Sequence, residues 1–181
     1  MTRWLIVSWL ALCSLAFPAF AQQAAKLGMV TGDATGTYYA IATDIAAIGN
    51  KNGVGIEVKE SNGSIDNLRR MASDEENAAL GIVQADVIRF LLESKKPESQ
   101  KIANKLRMVM PLYAEEIHVM ARKNIQSMND LKGMRVVVGS AGSGSMMTAV
   151  NLFSMLKIKP AKMFQVDAPE AVVAVMANRA D

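Results

Sequence analysis

Cysteine and histidine are almost absent from this chain, which has one of each, Cys13 and His118. The sequence therefore contains neither a C-x-x-C pair nor an H-E-x-x-H motif, and it predicts neither a structural zinc site nor a metal hydrolase. A single cysteine cannot form an intramolecular disulfide, so stability has to come from a hydrophobic core. We expect no metal and no other cofactor.

An excess of charge of one sign is also lacking. The 20 Lys and Arg residues are nearly balanced by 17 Asp and Glu, and the formal net charge of +3 is spread along the chain. Binding of nucleic acid requires a concentrated basic face. The composition therefore argues against a nucleic-acid partner.

Long apolar runs are confined to the beginning of the chain. Arg3 precedes an apolar run over residues 4–17, and residues 19–21 have the A-x-A form of a cleavage site. The run is shorter than the roughly 20 residues of a membrane-spanning helix. These features predict a secretory signal peptide over residues 1–21, cleaved after Ala21, and export to the periplasm.

A lipoprotein anchored through Cys13 is an alternative to a cleaved signal peptide. However, the bulky Leu12 stands where a small residue should precede a lipid-modified cysteine. A cleaved signal peptide is therefore the favoured interpretation.

The rest of the chain alternates short apolar runs with amphipathic segments, a pattern typical of an α/β fold. The first half predicts three strands and three helices: strands 27–31, 55–60 and 79–83, and helices 38–48, 64–72 and 85–92. The stretch 93–105 is polar, Lys-rich and contains a proline, so we expect it to interrupt the pattern.

The second half repeats this order after a linking segment. Residues 106–113 and 117–122 are strand-like, and residues 127–133 predict a short capped helical turn that ends in glycine. The repeat itself predicts a strand, a glycine loop, a helix, a second strand and a second helix: 135–138, 139–145, 146–156, 163–166 and 169–177.

The matching halves predict two Rossmann-like α/β lobes, residues 22–116 and 117–181, joined by extended segments as a hinged pair with a cleft. The second half stops at Asp181, where the third strand of the first half would begin. A parallel unit without that strand leaves an open edge. We therefore expect the second lobe to be incomplete and the chain to be part of a longer protein; a natural two-stranded lobe is the alternative.

Each half has a loop rich in glycine and hydroxyl residues between its first strand and helix: TGDATGT at 31–37 and GSAGSGS at 139–145. Backbone N–H groups at a helix N-terminus favour an anion. Both loops lack the G-K-[ST] ending of a phosphate-binding P-loop. Ligands of open α/β sheets bind at the carboxyl ends of the strands, where both loops lie.

A dinucleotide-binding enzyme is the alternative interpretation of these loops. GSAGSG is close to the G-x-G-x-x-G fingerprint, and Asp167 follows it at about the distance of a ribose-binding acid. A Rossmann-like NAD(P)-dependent oxidoreductase is therefore a second hypothesis. Against it, Glu60 gives the first half the same layout, and two such sites in so short a chain are implausible.

Six segments in order resemble the solute-binding proteins of the TAXI branch of TRAP transporters: TGDATGTYYAIATDIA, ESNGSIDNLRRMAS, ALGIVQADV, MPLYAEEIHVMARK, LKGMRVVVGSAGSGS and the APEAV helix. The resemblance extends from Leu27 to Asp181. It implies a non-enzymatic periplasmic binding protein of type II, a monomer when complete. Such a protein captures a small organic anion or an amino acid such as glutamate and delivers it to a TRAP-type membrane permease.

The resemblance also implies a set of ligand-binding residues from both loops and from the segments beside them: Thr35, Gly36, Thr37, Tyr38, Ser64, Gln84, Tyr113, His118, Gly142, Ser143, Gly144 and Ser145. Structural roles are alternatives for some of them. Tyr38 can serve helix packing, Ser64 an N-cap, Gln84 a turn, and His118 strand packing.

Neither loop contains an arginine, so a carboxylate ligand would depend on helix termini and hydroxyl groups. Such a site accepts amino acids, keto acids and dicarboxylates alike. Ser143 and His118 form a conceivable nucleophile and base, but no orienting acid is identifiable. A secreted surface antigen that uses the binding fold only for interaction is a third hypothesis.

Overall fold

A computed structural model describes residues 26–73 and 77–181. The predicted signal peptide, its cleavage site and Cys13 lie outside the described residues. Among the residues that are described, no helix is both long enough and apolar enough to cross a membrane.

The first half folds around a three-stranded parallel sheet with the order β2-β1-β3. Its strands are β1 (Leu27–Val30), β2 (Ile56–Lys59) and β3 (Ala78–Gly81). Helices α1 (Thr37–Lys51) and α2 (Ser64–Ser73) make the crossovers. The predicted strand, loop, helix order is confirmed here, because a parallel pair requires a crossover and a helix supplies it.

The core of this half lies between β1 and α1. Ala42 and Ala46 are buried one helical turn apart and face Met29, Ile56 and Ile82. Small side chains on the helix allow its backbone to approach the sheet closely. This packing holds the carboxyl end of β1, and the loop that follows it, in a defined place.

The polar stretch predicted to interrupt the pattern is instead largely helical. Helix α3 (Ala85–Glu93) is followed by helix α4 (Pro97–Lys105). The prediction was wrong because Pro97 stands in the first turn of α4, where its missing N–H and fixed φ are tolerated. Contacts with α2 and α3 supply the packing that the weakly apolar sequence of α4 does not reveal.

The second half folds around a two-stranded parallel sheet of β4 (Arg135–Val137) and β5 (Lys162–Phe164). Helix α5 (Gly144–Met155) connects the two strands, and helix α6 (Ala168–Met176) follows β5. The predicted turn before β4 is a 3₁₀ helix, Met128–Leu131. The order of the first half is thus repeated.

Local capping explains where these elements begin. Ser127 and Asp130 form a capping box around the 3₁₀ helix. Ser143 caps α5, so that α5 begins two residues earlier than the sequence pattern predicted. A second core cluster lies between the 3₁₀ helix, β4 and α5: Leu131, Val138, Phe153 and Ile158.

Asp181 lies beside β4, on the edge away from β5. Its backbone N–H donates to the carbonyl of Arg135 (2.8 Å), and its carboxylate accepts from the Arg135 backbone N–H and guanidinium at 3.0 Å each. Arg122 approaches the same carboxylate at 3.4 Å. These bonds hold the pKa of Asp181 down at about 2, chiefly through the guanidinium hydrogen bond from Arg135.

The two strand-like runs of the linking segment do not form strands. Residues 106–122 have no regular helix or strand, and Met108 and Val109 are 82% and 81% exposed. The prediction was wrong because alternating apolar residues become a strand only when a neighbouring strand pairs with their backbone. No such pairing exists within residues 26–73 and 77–181.

Candidate functional site

The first glycine loop leaves the buried end of β1 and is organised by Asp33. One oxygen of its carboxylate, Oδ1, accepts hydrogen bonds from the backbone N–H of Thr35 (2.8 Å) and from its hydroxyl (2.5 Å). These bonds lower the pKa of Asp33 below its usual value. Gly36 then precedes α1 in an extended conformation, and Thr35 and Thr37 are exposed.

Asn67 joins the carboxyl ends of the strands beneath this loop. Its side chain is fully buried, and Nδ2 donates to the carbonyl oxygens of Thr31 (2.6 Å) and Ile82 (2.7 Å). Its Oδ1 accepts from the hydroxyl of Ser61 (2.6 Å). One amide therefore links the ends of β1 and β3 to the loop after β2, because an amide group offers two donors and an acceptor.

The second glycine loop lies directly against the start of α2. The carbonyl oxygen of Gly142 accepts from the backbone N–H groups of Ile65 (3.0 Å) and Asp66 (3.4 Å). Gly139 and Gly142 have φ of +99° and +82°, values that glycine adopts without strain. Ser143 then caps α5 by accepting from Met146 N (3.1 Å).

Gly144 lies in close contact with the first half. A Cβ at this position would lie 1.4 Å from Gln84 Oε1 and 2.8 Å from Ser64 Oγ. Ser64 in turn accepts a 3.0 Å hydrogen bond from the Gln84 backbone N–H. Ser64 is the first residue of α2 and links α2 to the turn after β3, rather than standing before the helix as an N-cap.

Two tyrosines approach a shared carboxylate near this contact. Tyr113 donates a 3.1 Å hydrogen bond to Glu115, and partial burial together with Glu115 raises the pKa of Tyr113 to about 12. Burial, followed by the charge of Glu115, raises the pKa of Tyr38 well above its usual value. Both phenols are therefore neutral hydrogen-bonding groups at physiological pH.

A cavity of about 350 Å³ lies between the two loops. Residues after β1 and β2, from α2 and from the second loop line it: Asp33, Glu60, Ser61, Asn62, Asp66, Arg70 and Ser140. Three carboxylates and one guanidinium therefore face the same space. The guanidinium of Arg70 donates to the carbonyl of Glu60 (2.8 Å) and lies 4.0 Å from the carboxylate of Asp66.

A larger cavity of about 410 Å³ lies elsewhere, between the two-stranded sheet and α6. Its lining includes Val137, Phe164 and Ala174, and neither glycine loop contributes to it. We assign the candidate site to the smaller cavity, because it has a lining residue from each glycine loop and lies at the carboxyl ends of the strands.

The structure brings together part of the predicted ligand-binding set. Ser64, Gln84 and Gly142 to Gly144 are in contact. Tyr38 and Tyr113 share Glu115. His118 does not join this contact group: its side chain is 79% exposed and lies 3.5 Å from the carboxylate of Glu116. Ligand binding by any member of the set stays a prediction.

None of the seven residues that line the cavity belongs to the predicted ligand-binding set. Arg70 lies on α2, outside both glycine loops. Glu60, Ser61 and Asn62 directly follow β2, and the rule that ligands bind at the carboxyl ends of parallel strands could have identified them. Arg70 carries no comparable signal, because only the orientation of α2 brings it to the cavity.

Asp167, which the dinucleotide hypothesis assigns to a ribose, caps a helix in the structure. Its Oδ1 accepts a 2.8 Å hydrogen bond from the backbone N–H of Glu170 and caps α6. Within the described residues, no group of three or more His, Cys, Asp or Glu side chains could hold a metal ion.

The parallel sheets and crossover helices define a mixed α/β protein, and this architecture is consistent with a periplasmic binding-protein-like domain. A family model described as the NMT1-like family matches residues 29–181. The chain belongs to this family, which suggests a periplasmic solute-binding role and a transporter as partner. Members are typically extracytoplasmic and non-enzymatic.

Proposed function

We propose that this chain is the solute-binding component of a TRAP-type transporter of the TAXI branch. It captures a small solute outside the cytoplasm and delivers it to a membrane permease, without catalysing a reaction. The observation that carries the proposal is the polar cavity between the two glycine loops, to which Asp33 contributes from the first loop and Ser140 from the second.

The two halves act as the lobes of a type II binding protein, with residues 106–122 as the hinge region. Two observations support this role. Residues 106–122 connect the halves without regular structure, and the halves meet through short contacts at their loops. Hinge closure around a ligand is a common mechanism in two-lobed binding proteins.

The charges of the cavity favour an amino acid over a dicarboxylate as the ligand. Asp33, Glu60 and Asp66 would repel a second carboxylate but would attract an ammonium group. Arg70 supplies the one guanidinium, a group suited to a carboxylate. An amino acid carries both groups in one small molecule. Polar side chains that line the cavity, Asn62 and Ser140, would complete its hydrogen bonds.

A thermal-shift screen of the protein from residue 22 onward tests the proposal. The probes are glutamate, neutral amino acids, succinate as a dicarboxylate, and NADH. At about 100 times its Kd a ligand adds ~2.7 kcal/mol to the free energy of unfolding. That corresponds to a rise in Tm of roughly 5–10 °C for a chain of this size.

Stabilisation by an amino acid that Asp66→Asn abolishes supports the proposal. Asp44→Asn is the matched control, because Asp44 is exposed on α1 and does not line the cavity. A shift with NADH and none with any amino acid or carboxylate would show that the site has another function.

A further inference from the structure

A side-chain hydrogen bond joins helices of the two halves. Thr148 on α5 donates from Oγ1 to Oδ2 of Asp86 on α3, across 2.5 Å. Both residues are half-buried, and 62 positions separate them in the chain. Helices α3 and α5 also contact each other directly. The bond therefore spans the boundary between the halves and belongs to neither half alone.

The geometry of this bond is that of a strong hydrogen bond. An O–H group that donates to a carboxylate is typically about 2.5–2.7 Å from it, and such bonds are roughly twice as strong as neutral ones. Partial burial limits the competition from water. Breaking the bond should change an equilibrium between joined and separated halves by roughly tenfold.

A second contact between the halves lies beside it. The Gly142 carbonyl accepts from the N-terminal N–H groups of α2, and Gly144 lies against Gln84 and Ser64. These contacts involve the second glycine loop itself, and Gln84 and Ser64 meet it with their side chains. Asp86 and Thr148 lie on helices outside both glycine loops, so their bond can be altered without changing a loop residue.

We propose that Asp86 and Thr148 form a latch that holds the two lobes closed in the absence of ligand. This inference rests on the proposed two-lobed, hinged function. The latch lies outside the ligand cavity, whose lining includes neither residue. It therefore sets how often the cavity opens to solvent, rather than which solute the cavity accepts.

Distance measurements on the ligand-free protein test the latch. Spin labels at Ala47→Cys on α1 and Ser154→Cys on α5 report the separation of the lobes, since both positions are exposed. Residues 22–181 contain no other cysteine. Pulsed dipolar spectroscopy then gives the distance distribution with no solute added.

The wild type should show one short distance. Asp86→Ala and Thr148→Val should each lower the ratio of closed to open molecules by roughly tenfold and add a longer distance. Asp86→Asn should retain the short distance, because its amide oxygen still accepts from Thr148. Thr43→Val is the matched control: Thr43 is exposed on α1 and bonds only within its own helix, to the carbonyl of Tyr39.

A short distance that persists in both Asp86→Ala and Thr148→Val would overturn the latch. If Asp86→Ala lacks a native circular dichroism spectrum, the nearly isosteric Thr148→Val decides the question. The test adds no solute, so its outcome is separate from that of the ligand screen. If the distance measurements refute the latch but the ligand screen is positive, the proposed function is still supported. If the ligand screen is negative but the distances change as expected, the latch is still supported.

Discussion

The side-chain amide of Asn67 donates a 2.6 Å hydrogen bond to the carbonyl oxygen of Thr31, at the point where β1 ends and the first glycine loop begins. The same nitrogen reaches Ile82 at the end of β3. Both Asn67 and Thr31 are fully buried. The floor of the candidate site is therefore held by one polar side chain within the core.

Replacing Asn67 with alanine should destabilise the protein strongly. The carbonyl oxygens of Thr31 and Ile82 lose their donor, and each unsatisfied buried polar group costs about 1–3 kcal/mol. We expect the free energy of unfolding, measured by urea denaturation, to fall by about 2–4 kcal/mol. Asn52→Ala is the control, because the Asn52 amide is exposed and bonds only within α1. An equal fall in the free energy of unfolding in Asn67→Ala and Asn52→Ala would contradict this structural role of Asn67.

Gly144→Ala should push the second loop away from the first half. The new Cβ would lie 1.4 Å from Gln84 Oε1 and 2.8 Å from Ser64 Oγ. We expect the free energy of unfolding to fall by about 1–3 kcal/mol, as is typical of overpacking. Gly32→Ala is the control, since its Cβ would make an ordinary 3.7 Å contact with Tyr38.

The double variant Gly144→Ala with Gln84→Ala tests the cause of that loss. Removing the Gln84 side chain frees the space that the new methyl group needs, so part of the stability should return. The measurement is the coupling energy from a double-mutant cycle in urea. If the losses in unfolding free energy of the two single variants simply add in the double variant, Gln84 is not the group that clashes with the new methyl group.

The ion pair of Asp181 with Arg135 should make stability depend on pH in the acid range. The folded pKa of Asp181 is depressed to about 2, from an ordinary value of 3.8. Its contribution is therefore fully present above about pH 4 and is lost as the pH falls toward 2. Asp33 and Asp130 have lowered pKa values and act in the same direction.

Asp181→Asn isolates the contribution of this carboxylate. Urea unfolding at pH 7 should show a less stable protein, and stability should fall less between pH 4 and pH 2 than in the wild type. Asp44→Asn, at an exposed position on α1, is the matched control. An acid slope in Asp181→Asn as steep as that of the wild type would refute the effect.

Asp167 should behave as a helix cap and not as a nucleotide-binding residue. Asp167→Ala removes the acceptor for the Glu170 N–H and should cost about 1 kcal/mol, or roughly 2–4 °C in Tm. Asp167→Asn should retain most of the stability, because asparagine also caps helices well. NADH should not change the Tm of the wild type or of either variant. If NADH raised the Tm of the wild type and Asp167→Ala removed that rise, the result would support the oxidoreductase hypothesis.

Much of the fold could be predicted from local pattern. The apolar runs and glycine loops located the strands and helices of both halves, with ends displaced by one to three residues where a cap acts, as Ser143 does at α5. The two failures share a cause. Helix α4 and the extended residues 106–122 depend on what packs or pairs with them, which periodicity does not record.

The candidate site was predictable only in part. Each glycine loop predicts a helix N-terminus, and each contributes one residue to the cavity lining, Asp33 and Ser140. The charge of the cavity was not predictable, because Arg70 and Asp66 reach it only through the orientation of α2 against the sheet. The family resemblance implies a ligand contact for His118, yet its side chain lies exposed beside Glu116.

The sequence by itself determined the α/β class and the repeated order of strand, glycine loop, helix, strand and helix, since these follow from apolar periodicity and backbone preference. The tertiary structure alone decided that the Gly142 carbonyl meets α2, that Asp86 bonds to Thr148, and that three carboxylates surround the cavity. Such contacts join residues far apart in the chain. Only the packing of helices on both sheets sets the distances between them.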